Sequence, residues 1–393
     1  MNKKISLGLV VGLLVLTIAA SSAVTLKIVG REYNDILKGL PEKLERYAVI
    51  DEIDGLIKNN YYSGSDEASL KAALAGGYVK GLGDGYSRYL TAEEYSEYIS
   101  EIQGNMYGIG IEFEKTSKNY IEITEVYDGS PAESASLRRG DLIVAFDGIM
   151  LDANNYNEMS AKLEGDRLTS VNITYRRGSD ETTVNVVKGY EAKSVSSRAY
   201  GNVGYLKISE FYSSTADRVK TAVDSLTESK VEALVVDVRG NSSTNYENAL
   251  EVLDIFVPVN DSSVPAATLV DSEGNVLQKY STTAGEVSLP IAVLVNEKTA
   301  AAAELFACDL RDFSKGSLVG TKTKGVALMP KCFKLSDGNA VLLSVGIVLP
   351  YKSGSFNASG LVPDRESVLK EKTRKLESDS QFLDALALVS PAV

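Results

Sequence analysis

Apolar positions along the chain follow several patterns in succession, and each predicts a different kind of structure. Residues 5–26 are almost continuously apolar, interrupted by Ser6, Thr17, Ser21, Ser22 and Thr25 and closed by Lys27. That is close to the roughly 20 residues that cross a bilayer as a helix. Lys3 and Lys4 ahead of the run favour a cytoplasmic N-terminus. The expectation is a single-pass anchor within residues 1–30, at the cell membrane, with the bulk of the chain extracytoplasmic. A secreted chain, cleaved at the small residues Ser21-Ser22-Ala23, is the alternative.

Residues 31–103 read as helices. Ile36, Leu40, Leu44 and Tyr47 recur at helical spacing, further helices are predicted over 50–62 and 67–82, and Thr91-Ala92-Glu93-Glu94 is a capping pattern that opens one to about residue 100. From 104 to 190 the period falls to two. Paired strands are predicted over 107–113 and 120–126, a short helix from Ser130-Pro131, a strand over 142–146, a helix over 155–163, and a hairpin of 170–175 with 182–187. From 191 to 365 strands (203–208, 233–238, 291–295) alternate with helices (215–226, 245–256, 304–313), and 318–320 and 332–335 continue the sheet. Such alternation predicts an α/β layered domain. Residues 366–393 read as a helical tail.

The 393 residues carry a net charge of −12, with 44% hydrophobic and 24% charged positions. This is a globular composition. The negative sign argues against nucleic acid as a partner, because phosphate binding wants clustered Lys and Arg. No histidine occurs. A Ser-His-Asp triad, a Cys-His dyad and a His-ligated metal are therefore excluded within this chain, and no cofactor is expected. Proton transfer near neutral pH would fall to Lys, Asp, Glu, Tyr or Cys. Cys308 and Cys332 read as small core residues, one on a helix and one on a strand, with a single bridge as the alternative.

The strand 291–295 runs into Asn296-Glu297-Lys298-Thr299-Ala300-Ala301-Ala302-Ala303-Glu304 and then into a helix. Strand, tight turn and helix N-terminus is the geometry that presents a nucleophile beside backbone N–H donors. Here the turn presents four alanines.

The element order of 104–190 and its motifs Gly108-Ile109-Gly110-Ile111, Gly129-Ser130-Pro131-Ala132 and Arg139-Gly140-Asp141-Leu142-Ile143 resemble a PDZ domain, which binds a C-terminal peptide by strand addition. On that resemblance Tyr107, Gly108, Ile109, Gly110 and Ile111 would form the carboxylate loop, and Tyr156, Met159 and Leu163 the far wall. The larger part, about 51–364, resembles the C-terminal processing peptidases, or tail-specific proteases. The shared motifs are Gly81-Leu82-Gly83-Asp84-Gly85-Tyr86-Ser87-Arg88-Tyr89-Leu90, the PDZ segments, Gly204-Tyr205-Leu206-Lys207-Ile208, Asp237-Val238-Arg239-Gly240-Asn241, Val319-Gly320-Thr321-Lys322-Thr323 and Gly360-Leu361-Val362-Pro363-Asp364. The resemblance implies an anchored or secreted serine peptidase with a Ser/Lys dyad helped by a glutamine, a PDZ domain that gates the cleft, and terminal helices (here 32–47 and the tail) that often oligomerise.

Aligned on Glu304, the nucleophile position of that family is Ala301. Aligned on Gly320, Thr323 and Gly325, its lysine position is Val326 and its glutamine position Pro330. The Gly-Gly that helps form its oxyanion hole is Ser243-Thr244. A methyl and an isopropyl group can neither attack a carbonyl nor accept a proton. The expectation is a membrane-anchored pseudopeptidase that binds protein or peptide C-termini as a scaffold, a sensor or a regulator of an active relative. One alternative is an active serine- or threonine-type endopeptidase with its dyad relocated to Thr299 and Lys324, which have the same spacing as Ala301 and Val326. Against it, a two-residue slip along a strand moves each group by roughly 6–7 Å, and Thr299 reads equally as a helix cap. A purely structural assembly subunit is the third reading.

Overall fold

The computed structural model describes residues 45–390 except 105–106, 128, 166, 192–193, 258–263, 283–286 and 371–375, together with scattered residues between Gly12 and Lys27. The chain divides into two compact units, 1–74 and 75–393. In the first, residues 45–60 are helical. Most of the expected anchor over 5–26 and most of the segment 32–47 lie outside the described residues. Among the described residues, no helix is long and apolar enough to cross a membrane.

The centre of the second unit is a six-stranded sheet. In spatial order it runs Val195–Tyr200, Val203–Ile208, Ala233–Asp237, Ile291–Val295, Gly316–Gly320 and Arg365–Glu366. The first pair is antiparallel and every later pair is parallel. Successive residues on a strand point to opposite faces, and here both faces are covered. Leu234, Val236, Val293 and Val295 meet the helices Thr215–Glu228, Tyr246–Asp254 and Ala302–Asp312 on one side. Val235, Ala292 and Leu294 meet Phe382, Ala385 and Val389 of the helix Ser380–Val389 on the other. Two covered faces explain why Ala233–Asp237 and Ile291–Val295 are buried at every position. One face of the tail helix is thus packed on its own sheet, while Leu383 and Leu388 remain exposed on it.

A second sheet forms a separate layer, which the strand pattern by itself does not announce. Leu328–Lys334 pairs with the long strand Ala340–Pro350, which also pairs with Arg88–Leu90 and Val264–Val270, and Val276–Thr282 adds beyond. The expected continuation of the central sheet through 332–335 is thus corrected. Within that segment, Cys332–Lys334 face Ala340–Leu342 across the turn at Asp337-Gly338. Residues 88–90, read as part of a helical region, are an edge strand of this sheet. The expected capping box at Thr91 is present, with the Glu94 amide donating to Thr91 Oγ1 at 3.2 Å.

The segment between carries its own sheet, Ile111–Lys115, Ile121–Val126, Leu142–Phe146, Ser170–Arg177 and Asp180–Val187, with the helix Tyr156–Ala161 packed on it. This is the expected mixed α/β architecture, a PDZ domain ahead of a layered core. Cys308 is buried on its helix, Cys332 is half-buried on its strand, and both are free.

Candidate functional site

The carboxyl ends of the parallel strands define where a site can form, because loops leave the sheet there while helix N-termini point back. At the end of Ile291–Val295 the chain makes a tight polar turn. Asn296 Oδ1 accepts from the amides of Gly240 (3.0 Å), Lys298 (3.1 Å) and Thr299 (3.2 Å). Thr299 Oγ1 accepts from the Asn296 amide at 3.0 Å and donates to the Val238 carbonyl at 3.1 Å. The next turn places Ala301 at φ 53° and ψ −116°, immediately before the helix Ala302–Asp312. Such a conformation costs a residue with a Cβ about 1–3 kcal/mol, and strain of this kind clusters at functional sites. The elbow therefore keeps the backbone of a nucleophile turn around a side chain that is one methyl group.

Glu304 fixes the elbow. Its carboxylate is fully buried and gathers four donors. Oε2 accepts from the amides of Ala301 (3.0 Å) and Val326 (2.8 Å), and Oε1 from the Gly325 amide (2.7 Å) and the Thr323 hydroxyl. Burial pushes this carboxyl above its ordinary range, with the four donors pulling back. Ala301 and Val326 thus stand beside one oxygen, as the alignment of their positions requires. Both are buried in the same apolar cluster.

The oxyanion side has also changed. In a nucleophile elbow the N–H of the residue after the nucleophile stabilises the developing anion. Here that group, the Ala302 amide, donates to the Ser243 carbonyl at 2.9 Å, and the Ala300 amide donates to the Asn241 carbonyl at 3.0 Å. The segment that would line an oxyanion hole instead presents its carbonyls to the elbow.

Ser243, Thr244 and Pro330 line a cleft of about 630 Å³ in front of this assembly. Ala301, Val326 and Thr299 are not among its lining residues and are buried. Thr299 and Lys324 are backbone neighbours, the Lys324 amide donating to the Thr299 carbonyl at 3.0 Å. Their side chains part: the hydroxyl is fully buried in its bonds to Asn296 and Val238, while Lys324 is exposed. The rest of the lining is unexpectedly acidic. Glu101, Glu164 and Glu210 come from three distant segments, so no local sequence signal marks them as neighbours.

In the PDZ domain Gly110 has φ 82°, and an added Cβ there would strike Ser130 and Tyr190. The loop closes through the Tyr127 amide to the Gly110 carbonyl (3.0 Å) and the Ala132 amide to the Ile109 carbonyl (2.9 Å). Gly108 and Tyr107 pair on both sides, with Tyr190–Glu191 and Glu164–Gly165. Of the expected groove residues, Ile109, Tyr156, Met159 and Leu163 belong to the core of the domain, and Tyr107 and Ile111 are half-buried. Lys115 Nζ lies 4.1 Å from the Tyr156 ring centroid and bridges strand to helix. The far wall assigned from sequence is thus interior rather than open surface, because its apolar side chains turn into the small domain's only large core cluster among the described residues.

Comparison with known proteins agrees with this architecture. A family model for peptidase family S41 matches residues 202–367, and one for the PDZ domain matches 122–177. A CtpA-like serine protease of Staphylococcus haemolyticus is 27% identical over 359 residues, covering 91% of this chain and 70% of the relative. One of Staphylococcus aureus strain N315 is 29% identical over 317 residues, covering 80% of this chain and 63% of the relative. The chain thus spans about two thirds of the length of these relatives. Among solved structures, the photosystem II D1 C-terminal processing protease aligns with a TM-score of 0.55 at 23% identity, over 81% of this chain and 87% of its own. An S41 protease of Bacteroides fragilis gives 0.53 at 20% identity, over 83% and 90%. The last two likenesses are of fold.

Proposed function

Because the chain belongs to peptidase family S41, the C-terminal processing peptidases, we propose that it is a pseudopeptidase of that family: a member that keeps the elbow and the PDZ domain but not the chemistry. The observation that carries this reading is the elbow itself. Ala301 offers no nucleophile, Val326 no base, and the Ala302 amide is bonded to the Ser243 carbonyl instead of facing a substrate. Three independent parts of acyl transfer are missing together, and each one contributes separately to rate. The role that remains is binding, through the cleft and the PDZ loop at Tyr107–Ile111, of protein or peptide C-termini. Held at the membrane by residues 5–26, the chain would act as a scaffold, a sensor or a regulator of an active relative.

Incubation of the purified chain with an unfolded substrate that ends in an apolar residue tests this. The expected result is binding without cleavage, and no cleavage by Ala301→Ser either, since that variant regains a hydroxyl but no base and no free oxyanion donor. Turnover by the wild-type chain that disappears in Thr299→Ala or Lys324→Ala would overturn the proposal in favour of a relocated dyad. The buried hydroxyl of Thr299, engaged as acceptor and as donor, weighs against that outcome.

A further inference from the structure

The strand Val195–Tyr200 closes one side of the central sheet and takes no further strand among the described residues. The hairpin it makes with Val203–Ile208 decides what its outer edge presents. The Ser194 carbonyl accepts from the Ser209 amide at 2.8 Å, and the register runs without a shift to Tyr200 opposite Val203. Antiparallel pairs alternate between bonded and non-bonded. Ser196, Arg198 and Tyr200 therefore bond to the neighbouring strand, and Val195, Ser197 and Ala199 turn both N–H and C=O outward. Side chains alternate in the same way. Val195 packs towards the helix Thr215–Glu228, and Tyr200 meets Phe382 on the opposite face. Ser197 and Ala199 share the face of Val195. A groove of about 470 Å³ lies there, between the edge and Arg218, Thr221, Ala222 and Ser225 of that helix.

Natural sheets blunt their exposed edges against pairing. Among the described residues, every other edge of the two core sheets is blunted. Arg365–Glu366 and Arg88–Leu90 are two and three residues long. Val276–Thr282 pairs with two register shifts and carries Lys279, and Leu328–Lys334 has a shift at Pro330, beside Lys331. Val195–Tyr200 has six residues, no proline and no shift, and its one charge, Arg198, turns away from the groove towards Glu377 at 3.5 Å. We propose that this edge pairs with the same edge of a second copy of the chain, about a two-fold axis at Ser197, so that the two central sheets run on as one. The spacing is self-complementary. With Ser197 opposite its own image, Val195 faces the partner's Ala199, and each pair of outward residues exchanges both N–H···O bonds. Arg198 then stands opposite the partner's Ser196, so no like charges meet directly across the edge. The helix Thr215–Glu228 runs in the direction of Val195–Tyr200, because it connects two parallel strands that are antiparallel to that edge. The two-fold sets it antiparallel to its image, with Arg218, already paired with Glu191, towards the partner's Ser225. A peptide added to a strand is selected by side-chain pockets, whereas Thr221, Ala222 and Ser225 are small and leave room for a second helix to approach.

Sedimentation of the purified full chain should show monomer passing to dimer as concentration rises. Over the same range the amides of Val195, Ser197 and Ala199 should gain protection from hydrogen exchange, while those of Ser196 and Arg198 are protected throughout by the hairpin. Ser197→Pro removes an N–H that the hairpin does not use, at an edge position where proline is tolerated. It should weaken the dimer on the order of tenfold or more, since both bonds across the axis are lost, and leave the melting temperature of the monomer unchanged. Ser197→Asp and Ser197→Lys should each weaken the dimer by setting like charges face to face, and an equimolar mixture of the two should restore it. This pair decides the question alone if the proline variant does not fold. A chain that stays monomeric overturns the proposal, as does a dimer indifferent to all three substitutions. Protection of the three outward amides that appears in a monomer on adding an extended peptide overturns it too, in favour of a peptide site.

Discussion

Replacing Glu304 by Gln asks how much of the silent elbow is held by one side chain. Gln keeps the shape of Glu but puts an NH2 where one of the oxygens was. Placed at Oε2, that group would face the amides of Ala301 and Val326, leaving two buried donors opposed by a third. Placed at Oε1, it would face the Gly325 amide, while the Thr323 hydroxyl could rotate and accept from it. The second arrangement orphans one amide, that of Gly325, and deprives the Thr323 hydroxyl, which also accepts from the Leu361 amide, of its acceptor; it is the one expected. An unsatisfied buried donor costs about 1–3 kcal/mol, and charge-assisted bonds that become neutral lose more besides. A total of about 2–4 kcal/mol follows. Glu304→Leu orphans all four donors and should cost more than the Gln variant. At roughly 2–4 °C per kcal/mol for a domain of this size, Glu304→Gln should lower the core transition by about 5–15 °C in calorimetry. A Glu304→Leu variant no less stable than Glu304→Gln would refute the reasoning, since donor satisfaction could then not be what the carboxylate supplies.

Two further substitutions probe the elbow helix and the central sheet. Asp309 is fully buried on the elbow helix; Oδ1 accepts from the Tyr351 amide at 2.8 Å and Oδ2 has no partner among the described residues. Burial, with Asp312 nearby, raises its carboxyl well above the usual range, so its contribution is most favourable below the unfolded value of about 3.9 and declines as pH rises. Asp309→Asn should therefore gain on the wild type in urea midpoint between pH 4 and pH 8, and a pH-independent difference would count against this. Gly320 has φ 137°, and a Cβ there would strike the Val295 carbonyl of the neighbouring strand. Gly320→Ala should lose about 3–5 kcal/mol, as overpacked and strained sites do, against a much smaller loss for Gly316→Ala, whose nearest contact would be Val293 Cγ2 at 3.1 Å. Comparable melting temperatures for the two would rule out the collision.

The amino-acid sequence alone determined what is local. The apolar run over 291–295 and the helical spacing after Glu304 set the strand and helix of the elbow, and the identities of Ala301 and Val326 removed its chemistry, because a missing functional group is visible without coordinates. Tertiary structure decided whatever depends on segments remote in the chain. The strand Leu328–Lys334 reads the same whether it joins the central sheet or pairs with Ala340–Pro350, since its own alternation says nothing about its neighbour. Met159 and Leu163 fit a groove wall by pattern, but only packing shows them turned into a core. The Ala302 amide is bonded to Ser243 and three carboxylates meet in one cleft for the same reason. Hydrogen bonding and electrostatic repulsion act across a few ångströms of space, a distance that the order of residues does not record.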